Sequence, residues 1–314
     1  MAFQPSKQVY SGKIREVTLG VGDKAVTVGG KTAYSFHSFE GAMANAPRVA
    51  MEIWDKDPSA EWSETAKAPF AGVLSDPVAW AKKCVDDYGA DILVVQTKSA
   101  DPNADNASAD SVSDVVKKVT DAVSVPVVVW GVANHEKDVE VMRAVAEKCT
   151  GKRLAISPVE EGDYKQIGAA CLGYKHAVVA SSPIDVNLAK QLNILLGNLG
   201  VKEQDILIDP TTGGLGYGLE YTYSVIERIQ QAALTQEDEK LQQPMICNVG
   251  NEVWKCKEAN LSAEEAPELG DPEKRGVLME AITAIDLLIA GADVVIMRHP
   301  EAIKLVKGFI AKMM

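Results

Sequence analysis

The chain has 314 residues, 46% of them hydrophobic, enough for a substantial core in one large domain or two ordinary ones. Against 32 basic side chains stand 44 acidic ones, and the net charge of −12 disfavours nucleic acid and anionic membrane surfaces as partners. Cys84, Cys149, Cys171, Cys247 and Cys256 are scattered without a C-x-x-C pair, which argues against a disulfide framework, a zinc ribbon and a self-contained iron–sulfur cluster.

The opening MAFQPSKQVYSGK has no apolar signal core, and no run of 18 apolar residues follows, so a cytoplasmic protein without membrane contact is expected. Residues 1–48 contain VYSGKIREVTLGVG and KAVTVGGKTAY, which alternate in period two around glycine pairs. They predict an N-terminal β-hairpin extension that caps one mouth of the domain behind it.

From residue 49 onward, β-branched runs alternate with helical periodicity. The predicted strands are VAMEIW (49–54), DILVVQT (91–97), PVVVWG (126–131), RLAIS (153–157), HAVVAS (176–181), DILID (205–209), PMICNV (244–249) and DVVIMR (293–298). Between them lie PVAWAKKCVDDYGA, VEVMRAVAEKC, VNLAKQLNILLGNLG and KRGVLMEAITAIDLLIAGA, and EAIKLVKGFIAKMM closes the chain. Eight β-α units of strands apolar on both faces predict a (β/α)8 TIM barrel over residues 49–314, in preference to an open doubly wound sheet. The acidic, proline-bearing stretch 261–275 reads as a long loop after the seventh strand.

In such a barrel the strand C-termini form the working face. They gather Glu52, Trp54 and Asp55; Gln96, Thr97 and Lys98; Trp130 and Asn134; Ser157 and Glu160; Ser181 and Ser182; Asp209, Thr211 and Thr212; Asn248, Asn251 and Glu252; and Arg298 and His299. After the sixth strand, ILIDPTTGGLGYGLEY adds Gly213, Gly214, Gly216, Tyr217 and Gly218. This run lacks the third glycine of G-x-G-x-x-G and a following G-K-[ST], which disfavours a dinucleotide or nucleoside triphosphate. Ser181 and Ser182, without a nucleophile-elbow sequence, read as part of a helix-capping stretch Ser181-Ser182-Pro183-Ile184-Asp185 rather than as hydrolase nucleophiles. His37, His135, His176 and His299 lie on different elements and read as structural or solvent-exposed, Glu160-Glu161 as a solvated pair, and Lys98 as a surface salt bridge rather than a Schiff base. A polar, amide-rich, glycine-lined mouth of this kind suits a flat macrocycle edged with amides, or a second protein.

The segments APFAGVLSDPVAWAKKCVDDYGADILVVQTKSADPN, VPVVVWGVANHEKDVEVM, SSPIDVNLAKQLNILL, LIDPTTGGLGYGLEYTYSVIERIQ and PMICNVGNEVWKCKEA resemble the small subunit of the corrinoid/iron–sulfur protein, the counterpart of the acetyl-CoA decarbonylase/synthase delta subunit. The likeness covers nearly the whole chain. It implies a non-catalytic subunit of a methyl carrier in the reductive acetyl-CoA (Wood–Ljungdahl) pathway. A corrinoid (cobalamin) would sit at the interface with the large subunit, and the [4Fe–4S] cluster would lie on that partner. The other implied partners are methyltetrahydrofolate:corrinoid methyltransferase and acetyl-CoA synthase. The chain lacks an Asp-x-His-x-x-Gly pattern, so no histidine from it is expected on cobalt.

The barrel is also distantly similar to pterin-binding methyltransferases. Asp209-Pro210 and Asn248-Val249 match their strand ends, whereas Gln96-Thr97-Lys98 stands where those enzymes place an acidic residue. A self-sufficient methyltetrahydrofolate-dependent methyltransferase is therefore the alternative, with a barrel enzyme for a phosphorylated metabolite behind it. The residues expected to face the corrinoid are Thr211, Thr212, Gly213, Gly214, Gly216, Tyr217, Asn248, Asn251 and Glu252.

Overall fold

The computed structural model describes residue 4 and residues 6–314. Its first element is an antiparallel ribbon of β1 (Glu16–Leu19) and β2 (Val26–Gly29), with Val17 opposite Val28 and Leu19 opposite Val26. Gly29 takes φ 85°, and a Cβ there would lie 2.0 Å from the Arg15 carbonyl oxygen, so the ribbon requires glycine at this point.

All eight strands of the repeat form: β3 (Arg48–Trp54), β4 (Ile92–Gln96), β5 (Val127–Trp130), β6 (Ala155–Val159), β7 (Ala177–Ser181), β8 (Ile206–Asp209), β9 (Ile246–Asn248) and β10 (Val294–Met297). They pair in parallel in the order β8-β7-β6-β5-β4-β3-β10-β9. A parallel bridge between Ile208 and Met245 joins the two ends of this order and closes the ring.

The helices between the strands are α1 (Glu64–Lys67) and α2 (Pro77–Asp86), α3 (Ala109–Ala122), α4 (His135–Lys148), α5 (Tyr164–Tyr174), α6 (Val186–Leu199) and α7 (Leu219–Thr235). Beyond β9 come α8 (Val249–Val253), α9 (Lys257–Asn260) and α10 (Pro272–Ala290), and α11 (Pro300–Met313) follows β10. Side chains of Asp76, Ser108, Asn134, Asp185, Asp271 and His299 accept first-turn N–H groups and fix where six of these helices begin. Within the expected capping stretch 181–185 the cap is Asp185, which accepts from the N–H groups of Asn187 and Leu188.

The stretch 261–275 is also more ordered than its composition suggests. Asp271 and Pro272 are an N-cap and a first-turn proline, so α10 starts there rather than after a long loop. The buried Arg275 then gathers the preceding turn by donating from Nη2 to the carbonyls of Ser262, Ala266 and Gly270.

One apolar layer lies between sheet and helices, and a second fills the barrel. Inside the barrel Ala50, Ile92, Val94, Val128, Val179, Leu207, Val294 and Ile296 pack with Val17, Leu19 and Val28 of the ribbon. Arg15 N–H donates to the Gln242 carbonyl and Gly20 N–H to that of Arg153, residues just before β9 and β6. The ribbon thus plugs the mouth at the strand N-termini, and the C-terminal mouth stays open as the face available for a site. No helix among the described residues is long and apolar enough to cross a membrane.

Candidate functional site

Two adjoining cavities occupy the open mouth. The first, ≈230 Å³, is lined from β4 by Lys98, from β5 by Trp130 and Gly131, from β6 by Pro158 and Glu160, and from β7 and β8 by Ser181 and Asp209. Thr211, Thr212 and Gly213 of the glycine loop and Asn248, Asn251, Glu252 and Lys255 from the β9 side complete it. Six of the nine expected residues therefore share one cavity: Thr211, Thr212, Gly213, Asn248, Asn251 and Glu252.

The other three shape or extend the loop instead. Gly214 is enclosed, since a Cβ there would meet the Gly218 carbonyl oxygen at 2.9 Å and Thr222 Oγ1 at 3.0 Å. Gly216 holds φ 90° beside Cys256 Sγ. Tyr217 projects outward, 93% exposed. Gly213, by contrast, faces open space, so backbone is accessible there.

The floor of the mouth is a hydrogen-bonded network of buried polar groups. Asp209 accepts from Ser181 Oγ at 2.9 Å and from the Thr211 N–H at 2.9 Å. Burial nevertheless pushes its carboxyl up to about 7, with smaller contributions from Glu160 and Glu252. Thr212 Oγ1 is buried with no partner among the described residues. Asn248 Oδ1 accepts from Gln96 Nε2 at 3.3 Å, and the same amide nitrogen donates to Glu52 at 2.7 Å. Glu52, fully buried, is the counter-ion of Arg298, whose Nε donates to it at 2.6 Å.

Arg298 leads to the second cavity, ≈660 Å³, walled by Trp54, Trp62 and Trp254 and bordered by Lys98, Asn251, Lys255 and Arg298. Behind it, Glu280 accepts from Trp254 Nε1 at 3.0 Å and from the His299 N–H at 3.1 Å, and burial raises its carboxyl to about 7. Lys98 does not make the expected surface salt bridge. Its ammonium lies 5.5 Å from the centroid of the Trp54 ring, and burial first, then Lys255 and Arg298, lower its pKa. The β4 end turns this side chain toward the two cavities, where Glu52 and Glu252 act on it from beyond ion-pair distance.

The histidines are structural or exposed, as read from the sequence. His176 accepts from the Leu154 N–H and lies 2.8 Å from the Ala146 carbonyl oxygen, and His299 caps α11. His37 and His135 are exposed beside carboxylates. The fold does bring Glu160 and Asp163 to His135, with Nδ1 2.9 Å from Asp163 Oδ2, and their ligand atoms lie within 4.8 Å of one another. Asp163 raises the His135 pKa, so the contact is an ion pair below that pKa. Glu160 faces the first cavity and does not form a solvated pair with Glu161, whose carboxylate binds Gln191.

Sequence reasoning placed Glu52 and Arg298 at the mouth without joining them. They are 246 positions apart, and adjacency of the first and last barrel strands is the only signal that pairs them.

Residues 16–309 match the family model of the CO dehydrogenase/acetyl-CoA synthase delta subunit. Acetyl-CoA decarbonylase/synthase complex subunit delta of Archaeoglobus fulgidus is 34% identical over 97% of this chain and 69% of its own length. The protein of that name from Methanopyrus kandleri is 36% identical over 91% and 70%, and that from Methanothermobacter thermautotrophicus 34% over 97% and 77%. Among solved structures, dihydropteroate synthase from Xanthomonas albilineans in complex with 7,8-dihydropteroate superposes with a TM-score of 0.58 at 16% identity, covering 89% of this chain and 98% of that one. Dihydropteroate synthase from Coxiella burnetii in complex with pteroic acid gives 0.58 at 14% identity, covering 95% and 99%. At these identities the structural likeness concerns the barrel fold alone.

Proposed function

Because the chain belongs to the CO dehydrogenase/acetyl-CoA synthase delta subunit family, we propose that it is the barrel subunit of a heterodimeric corrinoid/iron–sulfur methyl carrier. In this reading the corrinoid lies between the C-terminal mouth and a large partner subunit that carries the [4Fe–4S] cluster. The pair takes methyl from methyltetrahydrofolate through a separate corrinoid methyltransferase and delivers it to acetyl-CoA synthase. The chain contributes binding and positioning rather than a reacting group of its own.

The observation that carries this reading is the mismatch between the mouth's size and its chemistry. A cavity of ≈230 Å³ cannot enclose a macrocycle, yet Thr211, Thr212, Asn248 and Asn251 offer hydroxyl and amide groups along it. The unpartnered Thr212 hydroxyl and the open backbone at Gly213 fit the amide-bearing edge of a corrin. These residues would hold that edge, leaving the face of the ring to a second chain. When bound, the corrinoid supplies cobalt as the methyl acceptor and donor. The glycine loop would close over the edge, with Tyr217 free to contact the partner.

A partner also has apolar surface to cover. Leu278 and Ile282 of α10 are 48% and 58% exposed, and Ile289 continues their helical face. Leu305 of α11 is exposed as well, which gives this side of the barrel the character of a subunit contact.

Asp209 and Asn248, together in the first cavity, favour the methyltransferase as a second reading. Two assays separate them. Sedimentation of the chain with its large partner should give one complex carrying the visible absorbance of the corrinoid. Turnover of methyltetrahydrofolate with free cob(I)alamin by this chain alone, and no complex, would favour the second reading.

A further inference from the structure

The tryptophan-walled second cavity has a charged group that methyl carrying does not use. Arg298 is only 3% exposed, with its guanidinium 3.9 Å from the centroid of the Trp62 ring and 5.6 Å from that of Trp54. Glu52 satisfies the Nε edge at 2.6 Å. The two terminal nitrogens hold four of the five N–H donors and have no acceptor among the described residues. Arg298 lines the cavity, and these two nitrogens are the part of its guanidinium that Glu52 leaves unpaired.

The surrounding charges define what could meet them. Arg298 is already neutralised by Glu52 and Lys255 is paired with Glu252 at 3.0 Å. Glu61 is engaged by Lys56 at 3.0 Å, and Asp101 accepts from the Asn103 N–H. Lys98 remains as a half-buried ammonium with no carboxylate in ion-pair reach among the described residues. Asp101, which no cation pairs among the described residues, sets its carboxylate against that ammonium, so the lining has no surplus charge for a dianionic phosphate, while the open guanidinium fork matches the two oxygens of a carboxylate. The indole walls suit a flat apolar body behind that anion.

We propose that this cavity binds a carboxylate borne on a flat aromatic ring, with the terminal nitrogens of Arg298 donating to both carboxylate oxygens, Lys98 contributing its ammonium, and Trp54, Trp62 and Trp254 enclosing the ring. The site belongs to this chain alone, so its test needs neither corrinoid nor partner and is separate from the methyl-carrier reading.

The full chain is titrated into 4-fluorobenzoate and, in parallel, into the neutral 4-fluorobenzamide, and ¹⁹F line widths are followed. Fluorobenzoate should broaden saturably and be displaced by benzoate, and fluorobenzamide should bind at least about tenfold more weakly. Arg298→Lys keeps a counter-ion for Glu52 but removes the fork, and should weaken fluorobenzoate by about tenfold. Lys98→Met lies outside that buried pair and should weaken it by about three- to tenfold, with the melting temperature of both variants recorded to confirm folding. Equal binding of the two probes, or unchanged fluorobenzoate affinity in both folded variants, would overturn the site. Displacement by inorganic phosphate as effective as by benzoate would overturn the aromatic carboxylate as its ligand class.

Discussion

Replacing Glu52 with leucine should cost the chain several kcal/mol, because it leaves the Arg298 guanidinium buried at 3% exposure with neither counter-ion nor acceptor at Nε. Removing one partner of a buried pair typically costs about 3–5 kcal/mol. Unfolding entropies near 2.1 cal/mol/K per residue give about 0.66 kcal/mol/K for a chain of 314 residues. The melting temperature should therefore fall by about 5–8 °C in a calorimetric scan. The double variant Glu52→Leu with Arg298→Met removes both charges and should regain most of the loss, since apolar replacement of a whole buried pair is close to neutral. A single variant melting within about 1 °C of the parent, or a double variant no better than the single, would refute the claim that Glu52 compensates a buried charge.

Three further expectations follow from the same mouth. Asp209 has its carboxyl raised from 3.8 to about 7 by burial, so the folded chain holds that proton more tightly than the unfolded one. The resulting stability is complete below about pH 4 and is lost as pH rises through about 7; Asp209→Asn should flatten this fall in urea unfolding, and an unchanged slope would contradict it. Gly214→Val and Gly216→Val should distort the loop, one by contact with the Gly218 carbonyl and the other by φ 90°, and reduce corrinoid retention in the complex while far-ultraviolet dichroism stays that of a barrel. Gly213→Ala, with open space at its Cβ, keeps the loop's fold and its N–H and carbonyl and should lose less corrinoid than either valine variant, and equal loss in all three would remove the distinction. For His135, Asp163→Asn should lower the pKa followed by nuclear magnetic resonance, because Asp163 is the main cause that raises it; no change would deny the ion pair.

Most of the barrel was legible because its strands are short β-branched runs buried on both faces, such as Ile92–Gln96 and Val294–Met297, and parallel pairing leaves such runs no polar face. The ribbon was legible from period-two alternation, but the mouth it plugs was not, since that depends on Arg15 and Gly20 meeting backbone before β9 and β6. Stretch 261–275 looked like a loop because its acidic composition outweighed the Asp271-Pro272 helix start. Six of the candidate residues share one cavity because they end or follow β8 and β9 directly, where strand position fixes direction. Lys98 and the Glu52–Arg298 pair were misread or missed for the opposite reason. A lysine beside Asp101 looks exposed in sequence, and only the inward turn after β4 puts it over Trp54. The pair spans the first and last barrel strands, and no local spacing records that contact.

The most direct test is the cobalt content of the chain purified anaerobically, once alone and once after co-expression with its large partner under corrinoid supply. An interfacial corrinoid predicts cobalt near one per complex in the co-expressed sample and none in the chain by itself. Cobalt absent from both, with the complex intact, would contradict the methyl-carrier account.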